Sequence, residues 1–192
     1  MRLFRKSQLE SLAVAMAGVK LGDRVLVAGS SDPKLTAALA LKTGLTGRAC
    51  AADESAGRTA EAARVAQAEG ALLETITAPL SSLPLDDGSF DIIVLRDVAA
   101  RGGEAPVPIA REALRLLRPG GRLLAVQSVA SGGFGRLLGG RSFAAADAEQ
   151  VTRAMEGAGF RGVRMLAQRE GIAFVEGVKG TDAGAPASVL SP

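Results

Sequence analysis

The chain has 192 residues, a formal charge of +3 and 47% apolar residues, which suits one globular domain. It contains no His, Trp or Tyr and a single cysteine. A His-based catalytic triad, a Cys/His zinc site and an internal disulfide are therefore excluded, and no resident metal is expected. Its basic residues form no block, so charge does not point to nucleic acid. No apolar run reaches the roughly 18 residues of a membrane span.

The first predicted element is an amphipathic helix over 3–18, with Leu9, Leu12, Ala13 and Met16 at i, i+3, i+4 and i+7 and Gly18 at its end. Arg2, Arg5 and Lys6 ahead of Leu12–Ala17 have the outline of a secretory leader, but Gln8 and Glu10 interrupt it. A cytoplasmic protein is expected. Leu3 and Phe4, beside those cations, read as a solvated helix start rather than a lipid-binding patch.

Arg24–Gly29 reads as a buried strand, Lys34–Thr43 as a helix stopped by Gly44, and Gly47–Ala52 as a strand weakened by Ala and Gly. An Ala-rich helix follows over 55–69, then a strand at Leu72–Thr77 and a loop from Pro79 to Gly88. Phe90–Leu95 is the clearest strand. A helix over 106–118 leads through Pro119-Gly120-Gly121 into a strand at Arg122–Gln127. Residues 129–146 read as an irregular insertion, in which Arg136 and Arg141 are candidates to face an anionic substrate. Asp147 is expected to N-cap a helix with Gln150 completing a capping box. Val163–Ala167 and Ile172–Val178 form a closing hairpin. The expected division is an N-terminal helix over 1–20, a domain over 21–179 and a disordered tail over 180–192.

Alternating strands and helices imply an α/β fold, a doubly wound parallel sheet with an antiparallel hairpin at one edge. Ligands of such sheets sit at the carboxyl ends of the strands. That rule marks Gly29–Asp32, Asp53–Glu54, Ala78–Leu80, Arg96–Asp97 and Gln127–Ser128.

Three stretches carry a resemblance: RVLVAGSSDP at 24–33, LPLDDGSFDIIVLRDV at 83–98 and REALRLLRPGGRLLAV at 111–126. Together with Gly159-Phe160 before the hairpin, the chain resembles a class I S-adenosylmethionine-dependent methyltransferase over about residues 20–179. The resemblance implies a Rossmann-like seven-stranded sheet in the order 3-2-1-4-5-7-6, with the last strand antiparallel. It also implies S-adenosylmethionine as cofactor. The family's loop is usually Gly-x-Gly-x-Gly; here Gly29 keeps the first glycine, and Ser31 and Pro33 replace the others. Val27 and Pro79 stand where the family often has acids.

The implied cofactor residues are Gly29, Ser30, Ser31, Asp32, Asp53, Glu54, Pro79, Leu80 and Arg96. Ser30 and Ser31, with loop N–H groups at a helix start, suit a carboxylate. Asp32 is expected to cap the helix that Pro33 begins, or to meet the cofactor's ammonium. Asp53 suits the ribose diol, with capping of the next helix as the plain alternative and Glu54 as a substitute. Leu80 suits a cover for adenine, and Asp91 a structural role. Asp97 is the catalytic candidate, to orient an acceptor hydroxyl or amine or act as a base; the alternative is a cap or an ion pair with Arg101. A sulfonium methyl is already activated, so the lack of His does not exclude methyl transfer.

The function expected is methyl transfer to a small-molecule acceptor. A non-catalytic methyltransferase-like subunit with a degenerate cofactor loop is the alternative, and a homo-oligomer or a partner chain stays open. A nicotinamide-binding domain is disfavoured, because GxGxxG is absent.

Overall fold

The computed structural model describes residues 11–98, 106–128, 143–169 and 171–181, with side chains omitted over 143–147. Of the expectations above, the helix start at 3–10, Arg101, Arg136, Arg141 and the tail from 182 lie outside the described residues.

Helix α1 covers 11–17. It is followed by β1 (Arg24–Ala28), α2 (Pro33–Thr43), β2 (Arg48–Asp53), α3 (Ala56–Ala68), β3 (Glu74–Thr77) and β4 (Phe90–Arg96). The chain continues through α4 (Pro106–Leu116), β5 (Leu117–Ser128), α5 (Phe143–Ala158), β6 (Arg161–Arg169) and β7 (Ile172–Val178). The strands form one sheet in the order β3-β2-β1-β4-β5-β7-β6. Every pairing is parallel except the two made by β7. This is the topology implied by the resemblance.

Strand alternation divides the core into two layers. Leu26, Ala28, Ile93, Leu95, Leu123 and Ala125 face α4 and α5, where Ile109, Leu116, Val151 and Met155 meet them. Val25, Val27, Val94, Leu124 and Val126 face the other side, against Ala13 and Ala17 of α1 and Leu35 and Leu39 of α2. Ala49–Ala52 of β2 are all buried. Their small side chains let α2 and α3 lie close to the sheet, which is why a segment of poor strand formers is still a strand: burial between layers overrides propensity.

Several boundaries differ from expectation. The helix expected over 106–118 stops at Leu116, and β5 starts at once, pairing Leu117 with Phe90 before Arg118–Gly121 bulge out and pairing resumes at Ile92–Arg122. The Pro-Gly-Gly turn is thus a looped interruption inside a strand. Helix α5 opens at Phe143, so Asp147 is in its second turn and does not N-cap it. The run Ala144-Ala145-Ala146 extends the helix upstream, as Ala is the strongest helix former.

Candidate active site

The carboxyl edge of the sheet gathers the ends of β1, β2, β3, β4 and β5. At the end of β1, Gly29 takes a φ of 93°, a left-handed conformation that favours glycine, and donates its N–H to Ala52 O at 2.8 Å. No other residue of the Gly29–Pro33 loop has a positive φ. Ser31 and Pro33 therefore stand where this loop asks for no special backbone freedom. Ser31 is exposed and Ser30 is buried. Asp32 is the N-cap of α2, accepting from Leu35 N–H at 3.3 Å, with Pro33 at the first helical position.

Asp53 closes β2 and is 0% exposed. Its Oδ2 accepts the Ser30 N–H at 2.8 Å. Its Oδ1 accepts the Ser55 N–H at 2.9 Å and Arg58 Nε at 2.8 Å, with Arg58 Nη2 at 2.7 Å. The carboxylate thus ties the β1 loop to the start of α3. The helix cap itself is Ser55, so Asp53 is not the N-cap that the sequence left as its alternative. Arg58 is half-exposed, and its hydrogen bond to Asp53 raises its pKa. Glu54, one residue on, is exposed.

Ala78 N–H donates to Asp53 O at 3.1 Å, which brings the loop after β3 beside β2. Pro79 is exposed and Leu80 is buried with Ala28, Leu83 and Leu95. A pair on α4 fixes this loop. Glu112 accepts Leu83 N–H at 2.7 Å, and Arg115 holds Glu112 while donating to Leu83 O at 3.2 Å, Leu85 O at 2.9 Å and Asp87. Burial disfavours the Glu112 charge, but hydrogen bonds from Arg115 and Leu83 outweigh it and leave the carboxyl below its ordinary range.

At the end of β4, Arg96 is 8% exposed and Asp97 has a φ of 53°, alone among described non-glycine residues in being positive. Asp tolerates that region better than most residues. Arg96 Nη1 meets Asp97 Oδ1 at 2.6 Å, Ser128 Oγ at 3.1 Å and Val126 O at 3.3 Å. Asp97 Oδ1 also accepts the Ser128 N–H, and Oδ2 accepts Ser128 Oγ at 3.2 Å. The ion-pair partner of Asp97 among the described residues is thus its neighbour Arg96. Asp91, at the opposite end of β4, accepts from Arg24 N–H at 2.8 Å, from Arg24 Nε at 3.1 Å and from Arg118. Burial works against its charge, yet these bonds hold its pKa down to about 2. It is structural, as read from the sequence.

The sequence pattern of the family described as "Methyltransferase domain" matches residues 26–125, more than half of the chain. The chain belongs to that methyltransferase family. No curated protein matches the sequence. Among solved structures, a SAM-dependent methyltransferase from Aquifex aeolicus is similar at 19% identity and a TM-score of 0.73, over 88% of this chain and 89% of that one. A SAM-dependent O-methyltransferase from Thermotoga maritima aligns at 14% identity and a TM-score of 0.70, over 90% of this chain and 65% of that one. The [4+2]-cyclase SpnF aligns at 20% identity and a TM-score of 0.68, over 91% and 80%. At these identities the likeness is one of fold.

In this methyltransferase the candidate residues fall into two groups along the carboxyl edge. Ser30 bonds Asp53 directly, Gly29 bonds the adjoining Ala52, and Ala78 joins Pro79 and Leu80 to them through Asp53 O. Arg96 and Asp97 form the second group with Ser128. Arg58, Ser55, Glu112 and Arg115 were not singled out in the sequence. Glu112 and Arg115 lie at i, i+3, a spacing that signals a pair on one helix face but not that the pair holds a distant loop. A groove of about 670 Å³ between α1 and α2, lined by Val14, Gly18, Val19 and Leu41, contains none of these residues. No described helix is long and apolar enough to cross a membrane.

Proposed function

We propose that the protein transfers a methyl group from S-adenosylmethionine to a small-molecule acceptor in the cytoplasm. The observation that carries the reading is the fully buried Asp53 carboxylate, bonded to the loop behind Gly29 at the carboxyl edge of a methyltransferase sheet. The donor set fits the cofactor's chemistry: a carboxylate for a diol, a backbone loop at a helix start, an apolar cover and a guanidinium.

In this reading the half-exposed Arg58 turns off Asp53 Oδ1 when the cofactor binds, and that oxygen, with Glu54 beside it, takes the ribose hydroxyls. Pro79 and Leu80 border the adenine. Gly29, Ser30, Ser31, Asp32 and Arg96 surround the amino-acid end. When bound, S-adenosylmethionine supplies an already activated methyl group. The chain's own contribution is then placement of the acceptor, worth several orders of magnitude in rate when approach is in line. Asp97 performs that placement. Its Oδ1 is committed to Ser128 N–H and Arg96, whereas Oδ2 accepts only the Ser128 hydroxyl among the described residues. Oδ2 is therefore the atom that receives an acceptor's O–H or N–H and holds its proton as the methyl is taken up.

The test is release of S-adenosylhomocysteine in the presence of small hydroxyl, amine and carbon-acid acceptors. Turnover with one of them, reduced at least about a hundredfold by Asp97→Asn, is expected. A protein that binds the cofactor but turns over no acceptor would instead be a binding subunit built on the same fold.

A further inference from the structure

We infer that Arg96 is the receptor for the carboxylate at the methionyl end of the cofactor, taking over the anchoring that Ser31 and Pro33 cannot supply as the family's glycines do. The inference deepens the proposed function and rests on it.

Position comes first. The register pairs Ala28 with Leu95, so Gly29 and Arg96 follow side by side as the chains leave β1 and β4. Arg96 pairs on its other flank with Val126. Val94 and Val126 face the α2 side of the sheet, and by alternation Arg96 shares that face. Arg96 thus lies next to the loop that leads into the N-terminus of α2.

Chemistry comes second. Arg96 is more than nine-tenths buried, a costly place for a permanent cation. Its contacts to Asp97, Ser128 and Val126 all leave from Nη1. Nε is buried with no hydrogen-bond partner among the described residues. A buried donor left unsatisfied costs on the order of 1–3 kcal/mol, so such groups ask for a ligand. The edge formed by Nε and Nη2 is one that a carboxylate meets with two parallel hydrogen bonds. Asp97 does not compete for it, because its oxygens are turned to Nη1 and Ser128. The α2 N-terminus nearby adds a favourable dipole for an anion.

The experiment compares two probes that share the nucleoside and differ in the amino-acid end. S-adenosylhomocysteine carries the carboxylate; 5′-methylthioadenosine does not. Both are titrated calorimetrically into the full-length wild type, Arg96→Gln and Arg96→Lys. Arg96→Gln should lose about tenfold or more in affinity for S-adenosylhomocysteine while its affinity for methylthioadenosine stays within about twofold. Arg96→Lys should retain part of the preference, since it keeps the charge but not the fork. The affinity ratio of the two probes is internal to each variant, so retained methylthioadenosine binding certifies an intact pocket. If the Gln variant does not fold, the Lys variant decides alone: its ratio falls at least about threefold, and an unchanged ratio overturns the inference. Equal losses for both probes, or no loss for either, also overturn it while leaving the proposed function standing. A folded wild type that binds neither probe overturns both.

Discussion

At the β2 end of the carboxyl edge, Asp53 is sealed from solvent and shared among Ser30, Ser55 and Arg58, and the neighbouring loop is held from α4 by Glu112 and Arg115. At the β4 end, Asp97 sits in a left-handed conformation and leans on its own neighbour Arg96, whose Nε has no partner among the described residues. The β2 end thus has its polar groups paired without a ligand. The β4 end retains a left-handed aspartate and a donor without a partner among the described residues. In the proposed reading, this contrast lets a chain with an altered glycine loop keep a cofactor site: the β2 end serves the nucleoside, and at the β4 end a guanidinium substitutes for close backbone approach.

The sharpest way to break this contrast is at Asp53. Asp53→Ala leaves Ser30 N–H, Ser55 N–H and Arg58 without their shared acceptor, and should lower stability by about 3 kcal/mol. It should also weaken S-adenosylhomocysteine binding by about tenfold or more. Urea unfolding and calorimetry read the two effects separately; unchanged affinity in a folded variant would remove Asp53 from the site. Next comes Glu112→Ala, which frees Leu83 N–H and Arg115 and should lower stability by about 2 kcal/mol. It should weaken methylthioadenosine as much as S-adenosylhomocysteine, because in the proposed reading the loop it holds borders the shared nucleoside. A loss confined to one probe would contradict that assignment.

Asp91 provides a control away from the edge. Its depressed pKa of about 2 contributes stability that is fully present above the unfolded carboxyl value near 4 and is lost as pH falls through about 2. Asp91→Asn should therefore be destabilised by about 1–2 kcal/mol at neutral pH, with the difference from wild type shrinking as pH drops below 4. Cofactor affinity should not change. The smallest effect belongs to Asp32→Ala, which removes the α2 cap and about 1 kcal/mol, readable as a small shift in thermal midpoint.

Much of the architecture was legible because the strands that form the middle of the sheet are short apolar runs separated by glycine and proline. FDIIVL and RVLVAG announce themselves by composition, and the strand-end rule then gathers the candidate residues on the carboxyl edge. Asp147 and Gln150 have the spacing of a capping box, but the helix-forming alanines before them carry α5 back to Phe143. The strand-end candidates were legible in the sequence, and the side chains that support them were not. Arg58, Glu112 and Arg115 act across 5, 29 and 32 positions of sequence, and nothing in local pattern says which distant N–H or carbonyl a charged helix residue will meet. The unspent Nε of Arg96 is visible only once burial is known. Cys50 is fully buried in β2, and burial pushes its thiol up to about 12, away from reactive chemistry.

Binding of a methyl donor at this edge is tested most directly by calorimetric titration of the wild-type protein with S-adenosylhomocysteine. One-to-one binding in the micromolar range is predicted. A folded sample that shows no heat of binding up to millimolar ligand would contradict it.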